Sequence, residues 1–178
     1  MKIRKLTVDA LLIAMCAILG TISIDLGNIK ITLESIPIIL AGLLFGPIDG
    51  MAVGFLGTFI YQLLRYGLSV TTLLWILPYV ICGLVIGQYS KSNSYNISRR
   101  QMIFIVIISE LIVTTLNTIV MYIDSKIFGY YSYAYIFGSI LFRYISCVLK
   151  SVIFANVLPL LVNMLKDKAI RISGEYKA

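Results

Sequence analysis

The sequence predicts an all-α membrane protein of six transmembrane helices, with both the N and the C terminus in the cytoplasm. Three observations carry that prediction. Of 178 residues, 60% are hydrophobic and only 13% charged, and the mean hydropathy is +0.96, far from the balance of water-soluble domains. The weakly charged runs are long enough to cross a hydrocarbon core about 30 Å thick. Ten of the fifteen basic residues fall on one side of the resulting topology, the side that the positive-inside rule assigns to the cytoplasm.

The first span is Leu6–Ile24. Asp9 interrupts its apolar run and no small-residue cleavage site stands out, so it reads as a helix and not as a signal peptide. Within it, Ala10-Leu-Leu-Ile-Ala14 stacks two small residues on one face, and Ala17 extends that face by a turn. Such a face admits another helix closely where hydrophobicity alone drives no association. Internal packing and a docking partner both fit it. Leu33–Leu44 is a short second span, joined to the third, Ile48–Leu64, through Phe45-Gly46-Pro47-Ile48-Asp49-Gly50, a Gly/Pro turn that imposes a tight hairpin. Thr71–Gln88 and Met102–Tyr122 are the fourth and fifth. The last, Ala134–Leu165, is longer than a bilayer needs; it should tilt, break near Pro159 or run out along the interface. No internal repeat or linker is evident, and residues 1–178 read as a single domain.

The cytoplasmic basic residues are Lys2, Arg4 and Lys5 before helix 1, Lys91, Arg99 and Arg100 between helices 4 and 5, and Lys166, Lys168, Arg171 and Lys177 after helix 6. Lys30, Arg65 and Lys126 lie outside, and Arg143 and Lys150 within helix 6. The net charge of +7 is therefore a topology signal, with membrane lipid as its partner and no nucleic acid implied. With no histidine, Ser-His and Cys-His nucleophiles and His-ligated metals are excluded. Cys16, Cys82 and Cys147 stand isolated within spans, as small hydrophobes. There is no Walker A sequence and no paired-carboxylate motif, so no catalytic residue, metal or cofactor is expected.

The outer ends of the helices have another texture. Asp25–Glu34 is a polar loop with Gly27 and Asn28 for a turn, flanked by alternating Ile29, Ile31 and Leu33. Gln62, Arg65, Tyr66, Thr72, Trp75 and Tyr79 crowd the junction of helices 3 and 4. Asn117 and Tyr122 end helix 5, Tyr130, Tyr131, Tyr133 and Tyr135 follow, and helix 6 carries Arg143. A few convergent polar groups among aromatics describe a small-molecule pocket. Each has a blander alternative. The tyrosines, Trp75 and Tyr79 suit an interfacial belt, Arg65 can snorkel to headgroups, and Asn117 can bond a neighbouring helix. Glu110 and Lys150 lie deeper and read as a structural ion pair. Arg143 either meets an acidic neighbour or awaits an anionic ligand.

Taken together, the chain resembles a substrate-binding (S) component of an energy-coupling factor (ECF) vitamin transporter. The resemblance covers essentially the whole chain. It is carried by the six spans, by Ala10-Leu-Leu-Ile-Ala14, and by Ser35-Ile-Pro37-Ile-Ile-Leu-Ala41-Gly42-Leu-Leu-Phe45-Gly46-Pro47. Gly50, Gly54 and Gly57 on helix 3 and Leu116-Asn117-Thr118 on helix 5 add to it. The stretch from Tyr66-Gly67 through Thr71-Thr72 to Trp75 looks most like the folate branch. The resemblance implies a multi-pass protein of the bacterial plasma membrane that captures a vitamin outside and is not an enzyme. Such a protein docks on a membrane coupling protein driven by two cytoplasmic ATPase subunits, then topples to release its cargo. Ala10 and Ala14 match the docking motif and Asp25–Glu34 the lid; Asp9 beside Ala10 departs from an apolar docking face.

Folate is the expected substrate. Its pterin can stack on Tyr66, Trp75 or Tyr79, and Gln62 or Asn117 can read its amide-like edge. Its anionic tail can pair with Lys30, Arg65 or Arg143, and Thr72 and Tyr122 complete the expected substrate-binding set. Pantothenate or a queuosine-type purine is the competing substrate. A non-transporting scaffold would explain the alanines but not the polar, aromatic outer end, and a membrane-embedded enzyme would need a catalytic dyad that is not visible.

Overall fold

The apolar runs fold as six helices with one small hairpin: α1 (Lys2–Thr21), β1 (Ile24–Leu26), β2 (Ile29–Ile31), α2 (Ser35–Phe45), α3 (Pro47–Tyr66), α4 (Thr72–Ser92), α5 (Arg99–Ile127) and α6 (Tyr133–Ser173). The computed structural model describes the backbone of residues 2–26 and 29–173, and the side chains of residues 3–23, 32–133 and 137–165. Among the described residues, four segments are long and apolar enough to cross a membrane: Pro47–Tyr66, Thr72–Ser92, Arg99–Ile127 and Phe137–Leu165. The other two helices differ for separate reasons. α1 keeps Arg4, Lys5 and Asp9 within its length. α2 has eleven residues, about 16 Å of helix against a core of about 30 Å.

Three boundaries depart from the sequence expectation. α1 stops at Thr21, and Ile24, read as its last residue, instead pairs with Ile31 in an antiparallel hairpin. Asp25 pairs with Lys30 and Leu26 with Ile29, so the alternating apolar residues belong to strands in an otherwise helical chain. The turn expected at Gly27 and Asn28 lies outside the described residues. α5 extends beyond the expected span at both ends. Its start is fixed by a capping box, with Gln101 N donating to Ser98 Oγ at 3.4 Å and Ser98 N donating to Gln101 Oε1 at 2.9 Å. α6 runs 41 residues as one helix and does not break at Pro159. Leu158 and Val162, buried around the proline, hold it to the core, and a break in lipid would leave backbone groups unpaired.

α2 sits at the centre. Nine of its eleven residues are buried, and it packs on α3, α4, α1 and α6. The α3–α4 contact runs backbone against backbone. A Cβ on Gly83 would lie 2.2 Å from Gly50 O, and one on Gly87 2.3 Å from Pro47 Cα. Only hydrogen at those positions permits the approach, and close approach is what binds helices where lipid removes the hydrophobic drive. Gly46 makes the tight α2–α3 turn at φ 98°, a conformation that costs a side chain dearly. Cys16, Cys82 and Cys147 are free and buried, filling the same core.

The helix ends divide into two groups. At one end Lys5 Nζ meets Asp49 Oδ2 at 2.9 Å, tying the start of α1 to the start of α3. At the other end Thr32 and Glu34 before α2, the α3–α4 turn and the α5–α6 loop come together around a cavity.

Candidate functional site

The cavity holds about 640 Å³ and takes its walls from Thr32 and Glu34 just before α2, and from α3, α4, α5 and α6 with the α3–α4 and α5–α6 connections. α4 supplies two aromatic side chains to the wall, Trp75 and Tyr79, one turn apart on a helix whose intervening positions Ile76 and Pro78 are buried. The end of α3 adds Tyr61 and Tyr66, packed edge to face with ring centres 6.0 Å apart. Gly20 of α1 makes room for Tyr61: a Cβ there would meet its ring at 2.9 Å.

Two carboxylates line the same space. Glu34, 2% exposed at the start of α2, accepts from Thr32 Oγ1 at 2.9 Å and from the Tyr79 hydroxyl. Asp124, on the last turn of α5, accepts from Thr71 Oγ1, from Tyr130 OH, and from Trp75 Nε1 at 3.3 Å. These donors make a buried carboxylate tolerable. The cations are Arg65, Arg143 and Lys150. Lys150 is committed to Glu110 at 2.8 Å, the pair expected from the sequence. Arg143 Nη2 reaches Met121 Sδ at 3.1 Å, and Arg65 Nη1 reaches Thr21 O at 3.4 Å.

Gln62, Arg65, Tyr66, Trp75, Tyr79, Asn117 and Arg143 line the cavity together. Thr72 stands outside its wall. Buried at the first position of α4, its hydroxyl accepts from Ser69 N at 2.8 Å and closes the α3–α4 turn. Tyr122 also stands outside, exposed and edge-on to Tyr131 at 5.6 Å. The Lys30 side chain lies outside the described residues, as does that of Tyr135. Of the other tyrosines after α5, Tyr130 enters the cavity, while Tyr131 and Tyr133 pack on each other at 5.2 Å, with Lys126 Nζ 3.6 Å from the Tyr131 ring centre. Ala10 and Ala14 are exposed on α1, but Ala17 is buried at 6%, so the small face is open for one step and covered beyond it.

Glu34, Asp124 and Lys150 line the cavity although the sequence does not single them out for it. The available signal was a lone carboxylate at the outer end of an apolar span, at Glu34 and at Asp124 alike, a position that favours a partnered charge over a solvated one. Among the described residues no group of three or more His, Cys, Asp or Glu side chains could hold a metal ion. The arrangement offers rings to stack on, amides and carboxylates to accept N–H donors, and guanidinium groups for anions. Residues 4–164 match a family model described as ECF transporter, substrate-specific component. Comparison with curated proteins returns no match.

Proposed function

The chain belongs to the family of substrate-specific components of ECF transporters, and from that premise we propose that its substrate is a folate-type vitamin bound in the cavity of about 640 Å³. Family membership makes it a multi-pass membrane protein that binds a small molecule for transport and is not an enzyme. It also implies coupling and ATPase modules as partners.

One observation carries the substrate. Two aromatic side chains, an amide and two guanidinium groups share a single cavity, in Trp75, Tyr79, Asn117, Arg65 and Arg143. A pterin needs the first two and its glutamate tail the third. Pantothenate carries no ring and would leave Trp75 and Tyr79 without a stacking partner. A queuosine-type purine uses the ring and edge contacts but has no carboxylates for the guanidiniums.

The wider reading follows the family. With α1 and the segment from the hairpin through the short α2 the chain makes six crossings with both termini in the cytoplasm, the hairpin acts as the lid, and exposed Ala10 and Ala14 meet the coupling protein. Titrating the detergent-purified chain alone with folate and 5-formyltetrahydrofolate tests the substrate. Saturable binding by calorimetry is expected for at least one, and no heat at micromolar concentrations of either would end the folate reading.

A further inference from the structure

α6 carries two asparagines on the face it turns away from the rest of the chain. Leu149, Ile153, Asn156, Leu160 and Asn163 follow one another at spacings of four, three, four and three residues, and all five are exposed. On a helix of 3.6 residues per turn such spacing draws one nearly axial stripe. Phe154, Leu158 and Val162, buried in the same stretch, lie on the opposite side. Pro159 is buried too and the helix runs through it, so the stripe is continuous.

Lipid is a poor solvent for that stripe. The apolar segment Phe137–Leu165 has 29 residues, about 43 Å of helix against a core of about 30 Å. Asn156 lies nine positions inside Leu165, about 13 Å, which places it below the headgroups even when the excess length is shared between both surfaces. Its Nδ2 donates to Val152 O at 2.8 Å, one turn back on the same helix. The amide oxygen has no partner among the described residues. Amides turned to hydrocarbon draw helices together.

We propose that the stripe is an interface with a second copy of this chain, α6 against α6 across a two-fold axis along the membrane normal. The positive-inside rule gives every copy one orientation, so two such helices run parallel. Parallel pairing sets Asn156 against Asn156 and Asn163 against Asn163, each at its own depth. An amide carries donor and acceptor together, so each bonds its own image. The four-three spacing is that of a left-handed helix pair, with Leu149, Ile153 and Leu160 as the packing knobs. Any other partner would need amides or hydroxyls at both depths; a second copy has them by construction. The α6 residues that line the cavity, Arg143, Ser146 and Lys150, are not in the stripe, and Ala10 and Ala14 lie on another helix. Pairing therefore leaves both open.

Cysteine cross-linking in membranes of expressing cells locates the contact. Ile153→Cys should give a disulfide-linked dimer on oxidation, whereas Ile119→Cys, similarly exposed on α5, should not. The native cysteines are buried, and the unsubstituted chain gives their background. Förster transfer between two labelled pools of the chain in liposomes, followed as lipid is added, gives the strength of association. Asn156→Leu with Asn163→Leu leaves an apolar surface facing lipid, so folding is not at stake; it should weaken the dimer by about tenfold or more.

A chain that stays monomeric at high protein-to-lipid ratio overturns the proposal. So does a dimer that the leucine variant leaves unchanged, or one that links through Ile119→Cys and not Ile153→Cys. If the chain alone forms no dimer and the leucine variant loses the coupling protein on co-purification, the stripe belongs to that partner and the second copy is ruled out. None of these outcomes depends on the substrate.

Discussion

The indole Nε1 of Trp75 donates to Asp124 Oδ1 across 3.3 Å, and the same carboxylate accepts from Thr71 and Tyr130. Asp124 is thus one acceptor for three segments: the turn before α4, α4 itself and the loop after α5. The face on which a flat ligand would stack is held by a carboxylate on another helix.

Asp124→Ala should therefore loosen the mouth of the cavity. Hydrogen bonds to a charged group contribute about 1.5–3 kcal/mol each, so losing their shared acceptor should speed folate release by about tenfold or more. Trp75 is the chain's one tryptophan, which lets its fluorescence report both the lost bond and the release rate in a stopped-flow experiment. An unchanged emission maximum and release rate would show that Asp124 holds nothing the ligand needs.

Lys150 and Glu110 pair at 2.8 Å with the Glu110 side chain fully buried. Lys150→Ala strands that carboxylate and should cost about 3–5 kcal/mol in stability, whereas Glu110→Gln with Lys150→Met removes both charges and should recover most of it. Thermal unfolding in detergent, without substrate, separates stability from any role of Lys150 in the cavity wall. Equal losses in the single and the double variant would mean that the pair's charges are not what matters.

That pair was legible in the sequence because two opposite charges deep in apolar helices have few other places to go. The crowding of Gln62, Arg65, Tyr66, Trp75 and Tyr79 was legible too, since polar and aromatic residues within a few helical turns share one end of a hairpin. The places of Glu34 and Asp124 were not. A carboxylate near the end of an apolar span calls for a partner, but local sequence does not say which one: Tyr79 lies 45 positions from Glu34, Trp75 49 from Asp124. Tyr122 shows the converse. Its helix is legible, though longer than its apolar run, but facing is set by rotation about the helix axis, which local sequence constrains weakly. Pro159 was read as a possible break, yet packing of its neighbours overrides the local preference.

Gly83 tests the backbone contact between α3 and α4. An alanine there would put Cβ 2.2 Å from Gly50 O, and no flexible side chain is available to yield. Gly83→Ala should destabilise by roughly 1–3 kcal/mol, the range for overpacking. Gly138→Ala, which meets nothing within 4 Å, should be neutral or stabilising by up to about 1 kcal/mol through helix propensity. Comparing the two melting temperatures isolates the clash; an unaffected Gly83→Ala would mean the helices are not in contact at that spacing.

Ala10 and Ala14 are exposed on α1 and distant in sequence from every cavity-lining residue. Replacing both by tryptophan should abolish vitamin uptake in cells while leaving the isolated chain's substrate affinity within a few-fold, because bulk there holds a partner helix away without reaching the pocket. A parallel collapse of affinity would place the alanines in internal packing and remove the docking role.

Arg65 lies at the last turn of α3, exposed and lining the cavity, and its Nη1 reaches Thr21 O at 3.4 Å. Its guanidinium is a planar fork suited to a carboxylate. Arg65→Ala should weaken folate by about 1.5–3 kcal/mol, the range for a charge-assisted bond, and leave pterin, which has no tail, nearly unchanged. Trp75→Ala should weaken both ligands alike, by roughly 1–3 kcal/mol if stacking on an aromatic ring is the guide. Calorimetry with both ligands on both variants gives the four values needed. Equal losses for the two ligands in Arg65→Ala would assign Arg65 to the headgroups or to the α1 contact. The tail would then be sought at Arg143, the other guanidinium that lines the cavity.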